Sequence, residues 1–341
     1  YYMARAEFHT MLNIAQQMAD TAERWGDQPT FPLHRTKMGV AYCFLGDFES
    51  ARAHLEVAAA RYDRDLHRSL ALVVGQDMGV VTLDFLAFTL WDLGYPDRAL
   101  ERAREALDLA QTLDHPSTLA MALENAGRVH SFRGEAQEAM EWAEAAIEVA
   151  QPRGLMLWEV LAMRTRGWAL VRQGAAEEGE AELRRALAAW ESIGSVFVRG
   201  EFLSWLAEAC AKTGRIEEGL ALLAEALAFV EETDERASEA EMHRLRGELL
   251  LLQGSVPSSS RVDETGAEAE YRTAIEVARR QQAKSWELRA TTSLSRLLRQ
   301  QGKREEALHM LGEIYGWFTE GFGTADLREA KALLDGLRSP E

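Results

Sequence analysis

A glycine recurs along this chain at intervals of 40 or 48 residues, and this spacing limits the possible folds more than any other feature. The series is Gly46, Gly94, Gly134, Gly174, Gly214, Gly254 and Gly302. A small residue stands seven positions before each of them, at Gly39, Ala87, Gly127, Gly167, Ala207, Gly247 and Ser295. A fixed period of this size, with helical patterns on both sides of the glycine, predicts a solenoid of helix pairs.

The physical demands of a helix pair account for both series. The glycine ends the first helix in a left-handed conformation, which costs a residue with a Cβ roughly 1–2 kcal/mol. The small residue lets the two helices cross closely, so we predict that Gly167→Leu overpacks its crossing. The second helix then presents an apolar stripe at three- and four-residue spacing, as at Phe48, Ala51 and Leu55.

The pattern resembles the tetratricopeptide repeat (TPR), in a variant of about 40 residues rather than 34. It predicts an all-α, right-handed superhelical solenoid of antiparallel helix pairs. Residues 1–30 are predicted to hold the second helix of a truncated repeat, and residues 31–316 seven helix pairs. Insertions are expected near 62–77 and 255–262, and a capping helix within 317–341.

Composition narrows the function classes. The net charge of −17 argues against a nucleic-acid partner, which would require a basic face. No stretch is long and apolar enough for a membrane span, and no signal peptide is visible. The two cysteines, Cys43 and Cys210, lie four repeats apart and cannot form a disulfide in a regular stack. We therefore expect reduced thiols and a cytoplasmic protein.

Catalytic motifs are absent from the sequence. Residues 174–180 have the glycine spacing of a phosphate-binding loop, but Glu180 stands where that loop requires lysine. The eight histidines do not pair with each other or with the cysteines at metal-ligand spacing. We predict no metal, no cofactor and no enzymatic activity for this chain.

Positions on the first helices repeat along the chain and are predicted to line the concave groove. The candidate groove residues are Asp84, Phe88, Trp91, Glu124, Arg128, Arg164, Trp168, Glu208 and Arg244. Aromatic rings beside arginines would suit a peptide, or an acidic or sugar-like ligand. The alternative interpretation is that a tight superhelix simply packs these rings across its own groove.

A second candidate surface is a basic end on the last repeat, formed by Arg289, Arg296 and Arg299. It could dock an acidic surface, such as another domain of the same protein. The alternative is an ordinary solvated face.

Several stretches carry a more specific resemblance. They are HRSLALVVGQDMGV (67–80), LGYPDRALERAREAL (93–107), RGWALVRQG (166–174), QQAKSWELRATTSL (281–294) and the tail IYGWFTEGFGTADLREAKALLDGL (314–337). The chain resembles the C-terminal repeat region of bacterial adenylate/guanylate cyclases that carry a central AAA/STAND-type ATPase. Neither the cyclase's metal-binding aspartates nor the ATPase's phosphate loop lies within these residues, so no catalytic residue carries over.

The resemblance implies a regulatory or sensor region of a larger signalling protein. Its expected partners are a protein or peptide, or upstream domains of the same chain, and a small-molecule effector would also fit. The alternative function is a purely structural arm that mediates oligomerisation.

Overall fold

A computed structural model of the chain describes residues 1–26, 30–67, 70–254 and 264–339. The insertion predicted near 255–262 lies outside the described residues. Within the described ranges all regular secondary structure is helical, with short 3-10 turns at Met3–Arg5 and Gln151–Arg153. The α-helices are α1 (Phe8–Trp25), α2 (Phe31–Phe44), α3 (Phe48–Arg61), α4 (Arg64–His67), α5 (Leu70–Val74), α6 (Met78–Asp92), α7 (Pro96–Gln111), α8 (Pro116–Arg133), α9 (Ala136–Ala150), α10 (Met156–Arg172), α11 (Ala176–Ser192), α12 (Arg199–Lys212), α13 (Ile216–Thr233), α14 (Glu239–Gly254), α15 (Glu264–Arg280), α16 (Lys284–Gln300), α17 (Arg304–Trp317) and α18 (Ala325–Arg338).

Most of these helices pack as antiparallel pairs. The pairs are α2/α3, α6/α7, α8/α9, α10/α11, α12/α13, α14/α15 and α16/α17, with α1 before the first and α18 after the last. The short helices α4 and α5 fall in the segment between the first two pairs. Each pair packs on the next, as in a solenoid. The prediction of an all-α, TPR-like solenoid is confirmed.

First and second helices are buried to different extents. Of the fifteen residues of α6, thirteen are buried, because this helix is enclosed by neighbours on nearly every side. Its partner α7 instead buries a stripe dominated by alanines at three- and four-residue spacing. Such small side chains let the next pair approach closely, so the first helices form the inner layer and the second helices the outer layer.

The crossing of α10 and α11 shows why the position seven before each turn must be small. A Cβ on Gly167 would lie 2.9 Å from Leu183 Cγ and 3.1 Å from the carbonyl oxygen of Gly179. A larger side chain at this position would therefore force the two helices apart.

The superhelix closes on itself, so repeats far apart in sequence touch. Ser285 at the start of α16 donates a hydrogen bond to the carbonyl oxygen of Trp91, at 2.5 Å. The ring of Trp286 meets the ring of Trp91 edge-on, with centroids 4.6 Å apart. We call this contact of α16, α17 and residues 318–324 with α6, α7 and α8 the seam. A plain solenoid, in which each repeat touches only its neighbours, has no such contact.

The segment after α17 completes the seam. The Glu320 carboxylate accepts hydrogen bonds from the backbone N–H groups of Asp97 and Arg98, both at 3.0 Å, at the first turn of α7. Its other oxygen pairs with Arg98 Nε at 2.9 Å. In return, Asp97 accepts from the backbone N–H of Gly321 at 2.8 Å. The carboxylate of Glu320 thus satisfies free N–H groups at a helix N-terminus that belongs to a distant repeat.

Candidate functional site

A chain of alternating charges crosses the inner layer between α8, α10 and α12. Glu201 accepts two hydrogen bonds from Arg128, at 3.1 Å from Nε and 2.5 Å from Nη2. The same carboxylate lies 3.4 Å from Arg164 Nη1. Arg164 in turn donates from Nη2 to Glu124, at 3.3 Å. The side chains of Arg164 and Glu124 are each 1% exposed, so these ions interact almost without screening by water.

Burial and neighbouring charges shift the pKa values of this chain of charges in opposite directions. Burial raises the pKa of Glu201, but Arg128 and Arg164 outweigh that effect and hold it below its ordinary value. Burial dominates at Glu124, whose pKa is raised despite the attraction of Arg164. Glu201 is therefore the firmly ionised carboxylate that joins the two arginines.

Aromatic rings hold the two arginines in place. The guanidinium of Arg128 lies 4.5 Å from the ring centroid of Phe88. That of Arg164 lies 4.9 Å from the ring of Trp205 and 5.1 Å from that of Phe202. Cation–π contacts of this kind are strongest where water is excluded. Of the predicted groove residues, the structure thus brings together Phe88, Arg128, Arg164 and Glu124.

The other predicted groove residues are distributed differently. Asp84 is 1% exposed and accepts from Asn125 at 2.8 Å, and burial raises its pKa well above the ordinary value. Trp91 is enclosed at the seam, stacked on Phe132 with centroids 4.8 Å apart. Trp168 packs in a separate cluster against Trp205. Trp91 and Trp168 therefore connect to the two arginines through intervening rings: Phe132, which Arg128 also faces, and Trp205, which Arg164 also faces.

Glu201 was absent from the sequence-based set, although a signal for it exists. Asp84, Glu124 and Arg164 occupy equivalent positions in successive repeats. The position three residues before each of them is apolar, at Val81, Met121 and Leu161. The same register carries Glu201 and Glu241 in the next two repeats. A carboxylate that interrupts an apolar column indicates a buried ionic contact.

A second feature of the inner layer is a cavity of about 120 Å³, which we call the charged cavity. Three tryptophans line it, together with the apolar side chains of Phe132 and Leu245. Its principal lining residues are Trp168, Trp205, Trp286, Arg172, Glu208, Glu241, Arg244, Arg289, Arg296, Asp326 and Glu329. Helices α10, α12, α14, α16 and α18 therefore all contribute to one cavity, and α8 adds Ser131 and Phe132.

Arginines and carboxylates alternate around the charged cavity. Arg172 donates to Glu208 at 3.0 Å. Arg244 donates to Glu241 at 2.7 and 2.8 Å and to Glu248 at 3.0 Å. Burial lowers the pKa of Arg244, but these carboxylates more than offset it and raise the pKa well above its ordinary value. The wall thus offers donors and acceptors of both charges beside aromatic faces. The predicted residues Trp168, Glu208 and Arg244 all lie here.

Two arginines of the predicted basic end are neutralised by α18. Arg289 donates to Asp326 at 2.8 Å and to the carbonyl oxygen of Phe132 at 2.5 Å. Arg296 pairs with Glu329. Arg299 is exposed and makes no ion pair with the residues that the structure describes. The expected free basic surface is therefore reduced to one arginine.

Two further observations concern ligands and membranes. Among the described residues, no group of three or more His, Cys, Asp or Glu side chains is placed to hold a metal ion. Within the same ranges, none of the helices combines the length and the apolar character needed to cross a membrane.

Comparison with known proteins identifies the class of scaffold. Residues 79–151 and 200–225 match sequence profiles of the tetratricopeptide repeat. No curated protein matches the chain. Among solved structures, a Rap protein complexed with Competence and Sporulation Factor aligns with a TM-score of 0.61 at 13% identity, over 97% of each chain. The apo form of RapI aligns with a TM-score of 0.52 at 12% identity, over 89% of this chain and 99% of its own.

A third solved structure is a signal transduction ATPase of the STAND class with a tetratricopeptide repeat sensor, from Pyrococcus horikoshii. It aligns with a TM-score of 0.49 at 12% identity, over 96% of this chain and 49% of its own. At these identities the likenesses to the two Rap structures establish the fold alone. The chain is a TPR-like scaffold, an architecture that presents extended inner surfaces for binding.

Proposed function

We propose that this chain is the binding and sensing part of a larger signalling protein, and that it binds a peptide segment in the charged cavity. One observation carries the proposal: six helices, from α8 in the third pair to α18 at the end of the stack, converge on this cavity. A ligand there would contact both the middle repeats and the last repeat at once. Its binding would therefore change how tightly the superhelix is closed.

The chemistry of the wall favours a peptide over a purely apolar or purely anionic ligand. Arg172 and Glu208 remain partly accessible, with 44% and 16% of their side chains exposed. They can exchange their mutual contact for hydrogen bonds to peptide carbonyl and N–H groups. Trp168 and Trp205 supply rigid apolar faces, which are typical anchors at recognition sites. The Rap protein of similar fold was solved in complex with Competence and Sporulation Factor, which supports a binding role for such a scaffold.

A selection from a library of random short peptides tests the proposal. We expect wild-type protein to enrich peptides, and Trp168→Ala to weaken their binding by at least about tenfold, as truncation of an anchor does. Glu208→Gln removes one charge with little change of shape and should shift the preferred peptides away from basic residues. Trp142→Ala, on the outer helix α9, is the matched control and should retain wild-type affinity.

The proposal fails if no peptide is enriched, or if Trp168→Ala, shown by circular dichroism to be folded, binds the selected peptides as well as the wild type. In that case the aromatic rings serve packing only.

We further propose that the signalling protein is of the cyclase and AAA/STAND-type ATPase kind, on the strength of the sequence stretches that resemble that family. The test is the intact protein. A selected peptide should change its nucleotide turnover, and the change should be lost with Trp168→Ala and retained with Trp142→Ala. An unchanged turnover at saturating peptide would contradict the regulatory role while leaving binding itself intact.

One feature favours the alternative, a structural arm that mediates oligomerisation. Met18 and Trp25 on α1 are 49% and 81% exposed, so this helix presents two large apolar side chains to solvent. Light scattering over a range of protein concentrations tests it. A constant monomer mass would rule out this alternative, and a dimer that dissociates with Trp25→Ser would support it.

A further inference from the structure

A second internal space, separate from the charged cavity, lies between α2, α6, α8 and α10. We call it the apolar chamber; its volume is about 50 Å³. Its walls are mostly aromatic and aliphatic, including Phe44, Phe85, Trp158 and Leu161. The charged groups that reach it are few, and they are mainly cations.

Two of those cations have unused hydrogen-bonding capacity. Arg164 is 1% exposed, yet its Nε has no hydrogen-bond partner among the described residues. Its Nη1 lies 3.4 Å from Glu201 without the geometry of a hydrogen bond. Lys37, on α2, also lines the chamber and has no ion pair within the described part of the chain, and burial lowers its pKa. Buried donors without acceptors are costly, and native proteins normally satisfy them.

The charges around the chamber do not balance. Three cations, Lys37, Arg128 and Arg164, face the carboxylates Glu124 and Glu201. A third carboxyl group, that of Asp84, accepts from the lining residue Asn125, but burial raises its pKa well above the ordinary value. Glu201 is already shared between the two arginines. A ligand carrying one negative charge would therefore complete both the charge balance and the hydrogen bonds.

The wall of the chamber also includes a backbone outlier. Val198 has φ of 54°, a left-handed conformation that is costly for a β-branched residue. Its N–H donates to both carboxyl oxygens of Glu235, at 3.0 and 3.1 Å. Conformations of this kind cluster at sites that clamp ligands.

We infer that the apolar chamber binds a short-chain carboxylate, with its oxygens at Arg164 and Lys37 and its alkyl part against the aromatic walls. A water molecule needs roughly 10–15 Å³ of such volume, so the chamber has room for about three to five non-hydrogen atoms. Propionate has this size and charge. With so few atoms, the affinity should fall between micromolar and millimolar.

Propionate and propionamide form the decisive pair of probes, because they share shape and differ in charge. At constant ionic strength, we expect propionate to bind in isothermal titration calorimetry and to raise the melting temperature, and propionamide to do neither. Lys37→Met should lower propionate affinity by at least about tenfold. Lys212→Met, an exposed lysine outside the chamber, should leave it unchanged.

Two further variants keep the inference falsifiable and independent of peptide binding. Leu161→Phe fills the chamber and should abolish propionate binding in a folded protein. Trp168→Ala should not affect it, because Trp168 lines the charged cavity and not the chamber. The inference is wrong if wild-type protein binds neither probe, if it binds both equally, or if Lys37→Met and Leu161→Phe both retain full affinity.

Discussion

Val198 and Glu235 form a unit in which a buried carboxyl group holds an uncommon backbone conformation. Glu235 is 8% exposed, and the N–H of Val198 donates to both of its oxygens. Burial raises the pKa of Glu235 to about 8, from an ordinary value of 4.5. The folded protein therefore retains a proton at neutral pH that the unfolded chain has lost.

This proton predicts how stability depends on pH. Between about pH 4.5 and pH 8 the folded state binds more protons than the unfolded state, so the free energy of unfolding falls as pH rises. Glu201, whose pKa is lowered, is ionised in both states over most of this range and adds little to the slope. Burial also raises the pKa values of Asp84, Asp92 and Glu124, which therefore contribute in the same direction. Glu235→Gln should reduce the slope without abolishing it, as measured by urea unfolding at several pH values. Glu56→Gln, on the exposed side of α3, should keep the wild-type slope. Equal slopes for Glu235→Gln and wild type would contradict the prediction.

The sequence predicts where each of these side chains lies in its repeat, but not which side chains it contacts. The 40-residue register pairs Glu124 with Arg164 and Arg128 with Trp168, since residues one period apart occupy equivalent sites, and it predicted both arginines on the inner wall. It could not indicate that both contact Glu201, because that contact joins the start of α12 to the middle of two earlier helices. The period identifies equivalent positions in successive repeats. Which side chains meet across several repeats depends on the curvature of the stack.

At the scale of elements, the small residue at each crossing decides how closely two helices approach. We expect Gly167→Leu to lower the free energy of unfolding by at least about 1–3 kcal/mol, because Leu183 and the backbone of α11 occupy the space. Gly312 in α17 is the matched control, since a Cβ there meets nothing within 4 Å. Leucine favours helix over glycine by roughly 0.8–1 kcal/mol, so Gly312→Leu should be neutral or stabilising. Equal effects of the two substitutions in urea unfolding would show that the crossing is not tightly packed.

The repeat pattern does not determine the conformation of the inserted segment between the first two pairs. The period stretches there by eight residues, so an insertion was predictable. Its geometry was not, because it depends on single contacts: Tyr62 donates to Asp77 at 2.9 Å, and its ring lies against Gly79. Asp77 in turn accepts from the N–H groups of Gly79 and Val80 and caps α6. A tyrosine and a capping aspartate thus fasten both ends of the insertion to the second repeat.

At the scale of the whole molecule, the seam distinguishes this chain from an open solenoid. Small rotations from one repeat to the next add up over the stack, so a sequence period fixes each pair without fixing the overall pitch. The predicted alternative, in which rings pack across a tight superhelix, describes Trp91 well, since Trp286 and Phe132 enclose it. The charged cavity lies beside this contact, so closure of the seam and shape of the cavity are linked.

The turn glycines offer a test of the seam with closely matched backbones. Gly94 and Gly214 both end a first helix in the left-handed region, with φ of 90° and 81°. A Cβ on Gly94 would lie 2.6 Å from the Trp317 ring and 2.7 Å from Lys284 Cβ, whereas one on Gly214 would meet nothing within 4 Å. Substitution by alanine therefore imposes a similar backbone cost of roughly 1–2 kcal/mol at both sites. Only Gly94→Ala also pushes the last repeat away from the second.

We expect Gly94→Ala to be the more destabilising substitution and, unlike Gly214→Ala, to enlarge the radius of gyration in small-angle X-ray scattering. Both variants should keep wild-type helix content by circular dichroism, because neither change lies within a helix. A peptide that binds across the charged cavity should partly restore the compact form of Gly94→Ala, since it favours the closed state. If the two variants scatter alike and are equally stable, the contact of Trp286 with Trp91 and that of Glu320 with the start of α7 do not hold the superhelix closed in solution.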